Sequence, residues 1–146
     1  LVKENLEWLS IRNPQRDNYK PMCDAISASI HRTCGRYGDD YDFKRDADIL
    51  NIISTGSRAQ SIKNYLGLSL NASTRDSLEK QYNERIAFLQ EQNILLLSLD
   101  MPIVKRVQML IAFFDAKYPN AEPIQSYYSK KDMIQARENI FKELVK

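Results

Sequence analysis

Apolar residues recur every three or four positions along most of this chain, which is the spacing of amphipathic helices. Pro and Gly interrupt the pattern, and small polar residues mark the starts of new helices. The spacing predicts helices at about residues 1–10, 21–34, 43–54, 57–66, 73–98, 100–118 and 129–146. Asn13-Pro14 is expected to end the first helix and Pro21 to begin the second, while Gly35 ends that second helix.

Composition favours the same fold class. The chain has only 4 Gly and 5 Pro among its 146 residues, and Leu, Ile, Gln, Lys, Arg and Glu are plentiful. We predict an all-α helical bundle with two regions: a helix-turn-helix-containing N-terminal region, residues 1–72, and a region of one long helix followed by two further helices, residues 73–146. The helix at residues 100–118 is apolar nearly all round and is expected to be the most buried element.

Two helix starts carry acidic or hydroxyl caps. One of Asp39, Asp40 and Asp42 is expected to cap the helix at residues 43–54, because a carboxylate accepts hydrogen bonds from the unpaired amides there. Ser129 with Asp132 is expected to cap the last helix in the same way.

The helix at residues 57–66 follows a predicted turn at Thr55-Gly56. Ser57 and Gln60 are spaced as a capping box. In such a box the Ser oxygen accepts from the backbone N–H three residues on, and the Gln side chain reaches back to the backbone N–H of the Ser. Gly67 is expected to end this helix. Its predicted inward residues are Ala59, Ile62 and Leu66.

The stretch from Ile49 to Arg75 contains no Asp or Glu, and its charged residues are Arg58, Lys63 and Arg75. A helix held by a tight turn against another helix, with long polar side chains facing outward and no carboxylate towards phosphate, is suited to the DNA major groove. Arg and Lys reach phosphate or guanine, and Gln and Asn pair with adenine. The predicted DNA-binding residues are Ser57, Arg58, Gln60, Ser61, Lys63 and Asn64.

Two registers of the helix-turn-helix compete. In the first register, residues 43–54 form the supporting helix and residues 58–66 form the recognition helix. In the second register, residues 58–66 form the supporting helix and a helix near residues 69–81 is the recognition helix. The segment Ile62 to Ser69 resembles the common I-A-x-x-L-G-I-S core of bacterial regulators, which favours the second. The first is preferred because Asp76 and Glu79 would face phosphate in the second. A third interpretation is a short surface helix without any DNA contact.

Further residues of this segment form a recognisable series: Asp42-Phe43, then Gly56, then Ala59-Gln60-Ser61-Ile62-Lys63-Asn64 and Gly67. The series resembles a small family of accessory proteins encoded beside tyrosine-type recombinases in bacterial integrative mobile elements. Their segment runs from Asp-Phe through a helix to a Gly-rich turn and an Ala-Gln-Thr-Ile-Arg-Asn helix. The second Gly and the Pro of that turn are absent here, and the likeness ends before Ser73. The resemblance implies a DNA-binding accessory or regulatory role.

The long helix carries a stripe with the 4-3-4-3 spacing of a coiled coil, formed by Tyr82, Ile86, Leu89, Asn93 and Leu96. A buried Asn at an a-type position favours an in-register pair, so the stripe is a candidate homodimer surface. Intramolecular packing explains the same spacing equally well. DNA binding favours the dimer, because paired half-sites multiply affinity.

Other chemistry finds little support in the sequence. His31, Cys23 and Cys34 lie on one predicted helix without the spacing of a zinc site, and the two thiols are about 16 Å apart, too far for a disulfide. No nucleotide or nucleophile motif is present. We therefore predict no metal, no cofactor and no enzymatic activity. The chain lacks a membrane-spanning run and a signal-peptide pattern, so a cytoplasmic location is expected.

The sequence thus predicts a sequence-specific protein that binds double-stranded DNA through a helix-turn-helix near residues 43–67, as a transcriptional regulator or a recombination accessory factor. The net charge is only +2, so DNA binding would depend on where the positive charges lie and not on how many there are. The alternative is a helical protein-interaction or assembly module, whose exposed target is the Tyr82–Leu96 stripe or the Tyr118–Tyr128 loop.

Overall fold

A computed structural model of the chain describes the backbone of residues 2–146 and the side chains of residues 17–146. The predicted all-α fold is confirmed, since the described part of the chain contains helices and no strands. The helices are α1 (Val2–Cys34), α2 (Asp40–Thr55), α3 (Ala59–Leu66), α4 (Ala72–Ser98), α5 (Ile103–Lys117) and α6 (Lys130–Leu144).

Helix α1 differs from the sequence prediction at its proline. The predicted helix at residues 1–10 and its end at Asn13-Pro14 lie outside the residues whose side chains are described. Residues 17–20 are already helical, so a helix start at Pro21 is wrong. Proline inside a helix costs about 3 kcal/mol, and the burial of Met22 and Ile26 beside it offsets that cost. The predicted end at Gly35 is confirmed by its left-handed φ of 77°.

Helix α2 is capped by one of the three predicted aspartates, but it begins at Asp40, three residues before the predicted start at residue 43. Asp39 is its N-cap, and its carboxylate accepts from the Asp42 amide at 3.2 Å in a capping box. The second half of α2 is enclosed by α4, α5 and α6. Ile49, Leu50 and Ile53 are fully buried there. This half of α2 is the apolar centre of the fold.

Helix α5 is less buried than its composition predicts. Val107, Leu110 and Phe114 are buried, but Lys105 and Gln108 lie on an exposed flank of the same helix. The prediction that α5 is the most buried element is wrong, because neighbouring helices cover one side of it and enclose α2 on several.

Helices α1 and α4 run side by side in the same direction. The Asn18 amide donates to the Ala87 carbonyl at 3.3 Å near one end, and Arg32 Nε donates to Asp100 at 2.9 Å near the other. This pairing buries the inward face of α4 within the chain.

The predicted dimer stripe belongs to that buried face. Ile86, Leu89, Asn93 and Leu96 are at most 3 % exposed, and Tyr82 is largely covered. The proposal of a homodimer through Tyr82, Ile86, Leu89, Asn93 and Leu96 is therefore corrected, because a second copy cannot reach these side chains without opening the bundle. Their spacing reflects packing inside one chain.

Asn93 is part of a buried polar network within this core. Arg106 Nη1 donates to Asp46 Oδ2 at 2.7 Å and to Asn93 Oδ1 at 2.8 Å. Asn93 Nδ2 donates to the same Asp46 oxygen at 3.0 Å. The three side chains are at most 5 % exposed. The buried Asn thus fixes the register of α2, α4 and α5, and not that of a second copy.

The apolar core has two parts. The main core joins buried residues of α1, α2, α4, α5 and α6 and so draws on both residues 1–72 and residues 73–146. The α3 cluster is smaller and consists of Ile62, Tyr65 and Leu66 of α3 with Ile124 from the loop before α6. Helix α3 is therefore seated on the bundle by a separate set of contacts.

Candidate nucleic-acid interface and the adjoining cavity

The turn between α2 and α3 requires glycine. Gly56 has a left-handed φ of 82°, and its N–H donates to the Ile52 carbonyl at 2.8 Å. A Cβ at this position would lie 2.9 Å from Met133 Cα of α6. Both the backbone conformation and the close approach exclude a side chain, so the predicted Thr55-Gly56 turn is confirmed.

Ser57 does not face outward. It is 7 % exposed, and its hydroxyl accepts from Gln125 Nε2 at 3.1 Å. The N-cap of α3 is Arg58, without a side-chain cap bond. The predicted capping box is wrong because Gln125 occupies the Ser57 oxygen, while Gln60 is bonded to Asn64. Ser57 is therefore removed from the candidate interface.

The inward side of α3 is broader than its spacing predicts. Ile62 and Leu66 are buried as expected, and Ala59 is partly covered. Tyr65, which the sequence pattern did not single out, is 7 % exposed, and its hydroxyl donates to Ser126 Oγ at 3.2 Å. Its burial depends on a loop that is remote in sequence.

The C-terminal end of α3 is held by an arginine. Gly67 caps the helix as predicted, with its N–H donating to the Lys63 carbonyl at 3.0 Å. Arg75 Nε donates to the Leu66 carbonyl at 2.9 Å, and its Nη2 donates to the Leu70 carbonyl at 3.0 Å. One of the three cations of the acid-free stretch therefore serves the end of the helix.

The outward side of α3 is polar and open. Gln60, Ser61, Lys63 and Asn64 are all exposed. At about 100° per residue, Gln60 and Asn64 stand opposite Ile62, with Ser61 on the side of Tyr65 and Lys63 on the side of α4. Gln60 Nε2 donates to Asn64 Oδ1 at 2.9 Å. These two amides share one edge of the helix.

Arg58 is exposed but already paired. Its Nη1 lies 2.6 Å from Asp48 Oδ2 of α2. A cleft of about 350 Å³ beside it is also lined by Lys44, Arg45 and Tyr41. Three cations therefore line this cleft, and the two carboxylates that also line it, Asp48 and Glu143, offset most of their charge.

The loop between α5 and α6 flanks the other edge of α3. Arg85 of α4 ties this loop to α2: its Nη1 donates to the Glu122 carbonyl at 2.7 Å and the Ser54 carbonyl at 3.0 Å. Burial lowers the pKa of Arg85. Tyr127 and Tyr128 are exposed beside the helix, and Tyr127 packs edge-on against Tyr65, with ring centroids 5.6 Å apart. Tyr127 thus extends the surface of α3 on the side of Tyr65.

A cavity of about 610 Å³ lies behind α3, between α1, α2 and α4. Tyr82 of α4 forms part of its wall and donates to Asn51 Oδ1. Burial raises the pKa of Tyr82 to about 12. Among the described side chains, the charged residues of the wall are Lys63 and Glu79. Lys63 therefore belongs both to the outward face and to this cavity.

The cavity residues escaped the sequence pattern. The sequence pattern places Tyr82 in an apolar stripe, and Asn51 and Gln90 belong to no local motif. These residues come together only when the helices pack.

The other residues considered from sequence do not assemble into a site. Cys23 and Cys34 are free thiols, and His31 is exposed and stacks on Tyr37 with ring centroids 4.6 Å apart. Within the described side chains, His, Cys, Asp and Glu form no group of three suited to a metal ion. None of the described helices has the length and apolarity to cross a bilayer. Comparisons of the chain with protein-family models, with curated proteins and with solved structures found no match.

Proposed function

We propose that this protein binds double-stranded DNA through the outward face of α3, with α2 and the Gly56 turn as its support. The supporting observation is the exposed edge of α3, where Gln60 and Asn64 lie side by side and the helix carries no carboxylate. Each amide side chain matches the donor and acceptor pair of adenine in the major groove. Their mutual hydrogen bond is exchanged for base contacts on binding.

The cations at the two ends of α3 supply the phosphate contacts in this proposal. Lys63 is exposed on the outward side of α3, and it shares the wall of the adjoining cavity with Glu79. Arg58 is half exposed and exchanges Asp48 for phosphate in this proposal. Tyr127 and Tyr128 add hydroxyl donors on the flank. The revised interface is Arg58, Gln60, Ser61, Lys63 and Asn64.

The second register, in which the N-terminal part of α4 would be the recognition helix, is less favourable for DNA binding. Asp76 is exposed in the first turns of α4, where a phosphate would meet its carboxylate. The resemblance to recombinase accessory proteins motivates a recombination role, and transcriptional regulation is the other setting for the same interface.

The test is selection from a library of double-stranded oligonucleotides with a randomised centre, followed by affinity measurement at two salt concentrations. Changing both Gln60→Ala and Asn64→Ala should weaken binding to the selected sequence by at least about tenfold, since a bidentate base contact contributes about 1–3 kcal/mol. Binding to unselected DNA should remain. Lys63→Ala should weaken binding to the selected sequence and to unselected DNA alike. It should also reduce the dependence of the logarithm of affinity on the logarithm of salt concentration by about 1.

Helix α6 offers a matched control. Gln135 Nε2 donates to Asn139 Oδ1 at 3.0 Å, which is the same exposed pair at the same spacing as on α3. Changing both to Ala should leave DNA affinity unchanged, as should Lys142→Ala. Equal losses from the α3 and α6 variants, or no salt-dependent binding by the wild type, contradict the proposal.

The second candidate function is a protein-interaction module. The structure removes the Tyr82–Leu96 stripe as its target surface, since that stripe is buried. The Tyr118–Tyr128 loop keeps two exposed aromatic side chains, with Tyr127 65 % exposed. A wild-type chain that retains no DNA even at low salt favours this candidate over the first.

A further inference from the structure

Tyr127 and Tyr128 are exposed aromatic side chains on a loop that is otherwise held in place. Ile124 and Gln125, which precede them, are at most 2 % exposed, and Ser129, which follows them, is the N-cap of α6. The Tyr128 N–H donates to the Gln125 carbonyl at 3.2 Å and closes a turn. The two tyrosines therefore lie on a short segment that is anchored at both ends.

The two rings lie against each other and remain open to solvent. Their centroids are 4.9 Å apart, with an angle of 52° between the ring planes. Tyr127 is 65 % exposed and Tyr128 is 42 % exposed. A ring on an anchored segment loses little conformational entropy when it contacts a partner, which is one reason why tyrosine is common in binding surfaces. The tyrosine pair is thus a preorganised aromatic surface.

Tyr37 shows that exposure alone does not make such a surface. It is 73 % exposed, but it stacks on His31 with an angle of only 14° between the rings. This parallel stack covers one face of Tyr37. Tyr127 meets Tyr65 and Tyr128 at 68° and 52°, so neither of its contacts is a parallel stack.

The tyrosine pair adjoins α3. Tyr127 packs against Tyr65 with ring centroids 5.6 Å apart, and the Ser126 N–H donates to the Tyr65 hydroxyl at 3.3 Å. The segments on the two sides of this contact have the same charge pattern, because residues 49–75 and residues 123–131 both contain cations and no Asp or Glu. The fold therefore places two segments without carboxylates side by side.

The residues that follow the tyrosine pair favour an anionic partner. Lys130 Nζ donates to the Pro119 carbonyl at 2.8 Å, whereas Lys131 is exposed. The next carboxylate along the chain, that of Asp132, accepts from the Ser129 N–H at 2.8 Å within the α6 cap. Aromatic rings beside cations are the combination with which proteins bind single-stranded nucleic acids, since bases stack on the rings and phosphates pair with the cations.

A closed duplex cannot use the rings of this pair fully. In double-stranded DNA the faces of the bases are covered by their neighbours, and only base edges and the backbone are accessible. An unpaired base offers a whole face to an aromatic side chain. The amides of α3, in contrast, match base pairs in the major groove. A duplex that continues into a single strand presents both features side by side.

We infer that Tyr127 and Tyr128 stack on an unpaired base next to the duplex bound by α3, with Lys131 on the phosphate of the single strand. The ligand of this surface is then double-stranded DNA with a single-stranded extension. The duplex part of this inference rests on the proposed function of α3, whereas the stacking of the unpaired base is measured separately.

The first experiment compares affinities for the selected duplex with blunt ends and for the same duplex with a short thymine extension on each strand end in turn. One of the extensions should strengthen binding by about tenfold, the scale of a base stacked on an aromatic ring. Changing both Tyr127→Ala and Tyr128→Ala should remove this gain. Changing both to Phe should keep it, because the rings stay and only the hydroxyls are lost. The control Tyr37→Ala should also keep the gain.

The second experiment uses a single-stranded oligonucleotide of thymines with one 2-aminopurine, whose fluorescence falls when the base stacks. The wild type should lower this fluorescence saturably, and the Tyr127→Ala, Tyr128→Ala protein should not. The Gln60→Ala, Asn64→Ala protein should lower it as the wild type does, since its tyrosines are intact.

The outcomes separate this inference from the proposed function. Selective duplex binding without a gain from any extension, or with a gain that the double Ala variant keeps, overturns the inference and leaves the function of α3 in place. Tyrosine-dependent stacking of the single strand without selective duplex binding supports the aromatic contact and contradicts the proposed function. A wild type that binds neither form overturns both and leaves the loop to a protein partner.

Discussion

The main core and the α3 cluster are stabilised on different scales. Among the described side chains, the main core contains sixteen buried apolar residues from five helices and the loop before α6, whereas the α3 cluster contains four. Because opening free energy follows the buried contacts that must be broken, α3 should open locally while the bundle remains folded. The region proposed to bind DNA is thus the region whose position is easiest to adjust.

The polar contacts of the two regions differ in the same way. The main core encloses a charged pair and an amide in Asp46, Arg106 and Asn93. The contacts of the α3 cluster with the loop before α6 are neutral, such as that between the Tyr65 hydroxyl and Ser126, while Arg75 of α4 holds the Leu66 carbonyl. The placement of α3 therefore depends on a loop that is far from it in sequence.

The largest effect is expected from Arg106→Ala. Asp46 is 1 % exposed, and removal of Arg106 leaves its carboxylate with the Asn93 amide at 3.0 Å and the Arg45 guanidinium at 3.5 Å as its remaining partners. Breaking a buried ion pair in this way destabilises proteins by about 3–5 kcal/mol. Chemical denaturation monitored by circular dichroism should show this loss for all helices together.

Lys105→Ala is the control for that change, because Lys105 is the exposed neighbour on the same helix. It should alter the free energy of unfolding by less than about 0.5 kcal/mol. If Arg106→Ala is no more destabilising than the control, the network does not stabilise the main core.

A smaller and local effect is expected from Ile124→Ala. Ile124 is 2 % exposed and is the loop's contribution to the α3 cluster. Loss of a buried Ile side chain costs about 2–5 kcal/mol, and here the lost contacts are those that hold α3 against the loop. Amide hydrogen exchange should become faster in residues 59–66 than in α4.

Ile134→Ala provides the comparison, since Ile134 is 45 % exposed on α6. It should leave exchange in α3 unchanged. Equal acceleration of exchange in α3 and α4 by Ile124→Ala would show that the two regions open as one unit.

The smallest effect is expected on stability at acid pH, from the ion pair of Arg36 and Asp42 between α1 and α2. Hydrogen bonds from Arg36, the nearer at 2.9 Å, hold the pKa of Asp42 at about 2. An unfolded Asp has a pKa of about 3.9, so the folded value is depressed. The resulting stability is present above about pH 4 and is lost as the pH falls towards 2. Arg36 is exposed, which keeps the effect small.

The measurement is the free energy of unfolding between pH 5 and 2, by urea denaturation. Asp42→Asn should flatten this pH dependence, whereas Asp40→Asn, at an exposed neighbouring position, should not. An unchanged slope in the Asp42→Asn protein contradicts this assignment.

Much of the helical pattern was determined by local sequence. Gly35 and Gly67 end helices, and Asp39 and Ser129 cap them, because each acts on backbone groups within one turn. The exposed side chains of α3 also follow from its short apolar period, which is why Gln60, Lys63 and Asn64 were identified correctly as outward. Pro21 is the exception, since burial beside it outweighs the local preference.

Partners across the fold were decided only by tertiary structure. The sequence indicated that Asn93 is buried, but not that Asp46 and Arg106 satisfy it in place of a second copy. It placed Ser57 at a helix start, but not beneath Gln125. Helix periodicity reports which side of a helix is covered, whereas the covering residue lies tens of positions away and is set by how the helices pack. The cavity behind α3 has the same origin, because it is lined by residues of four helices that are separate in the sequence.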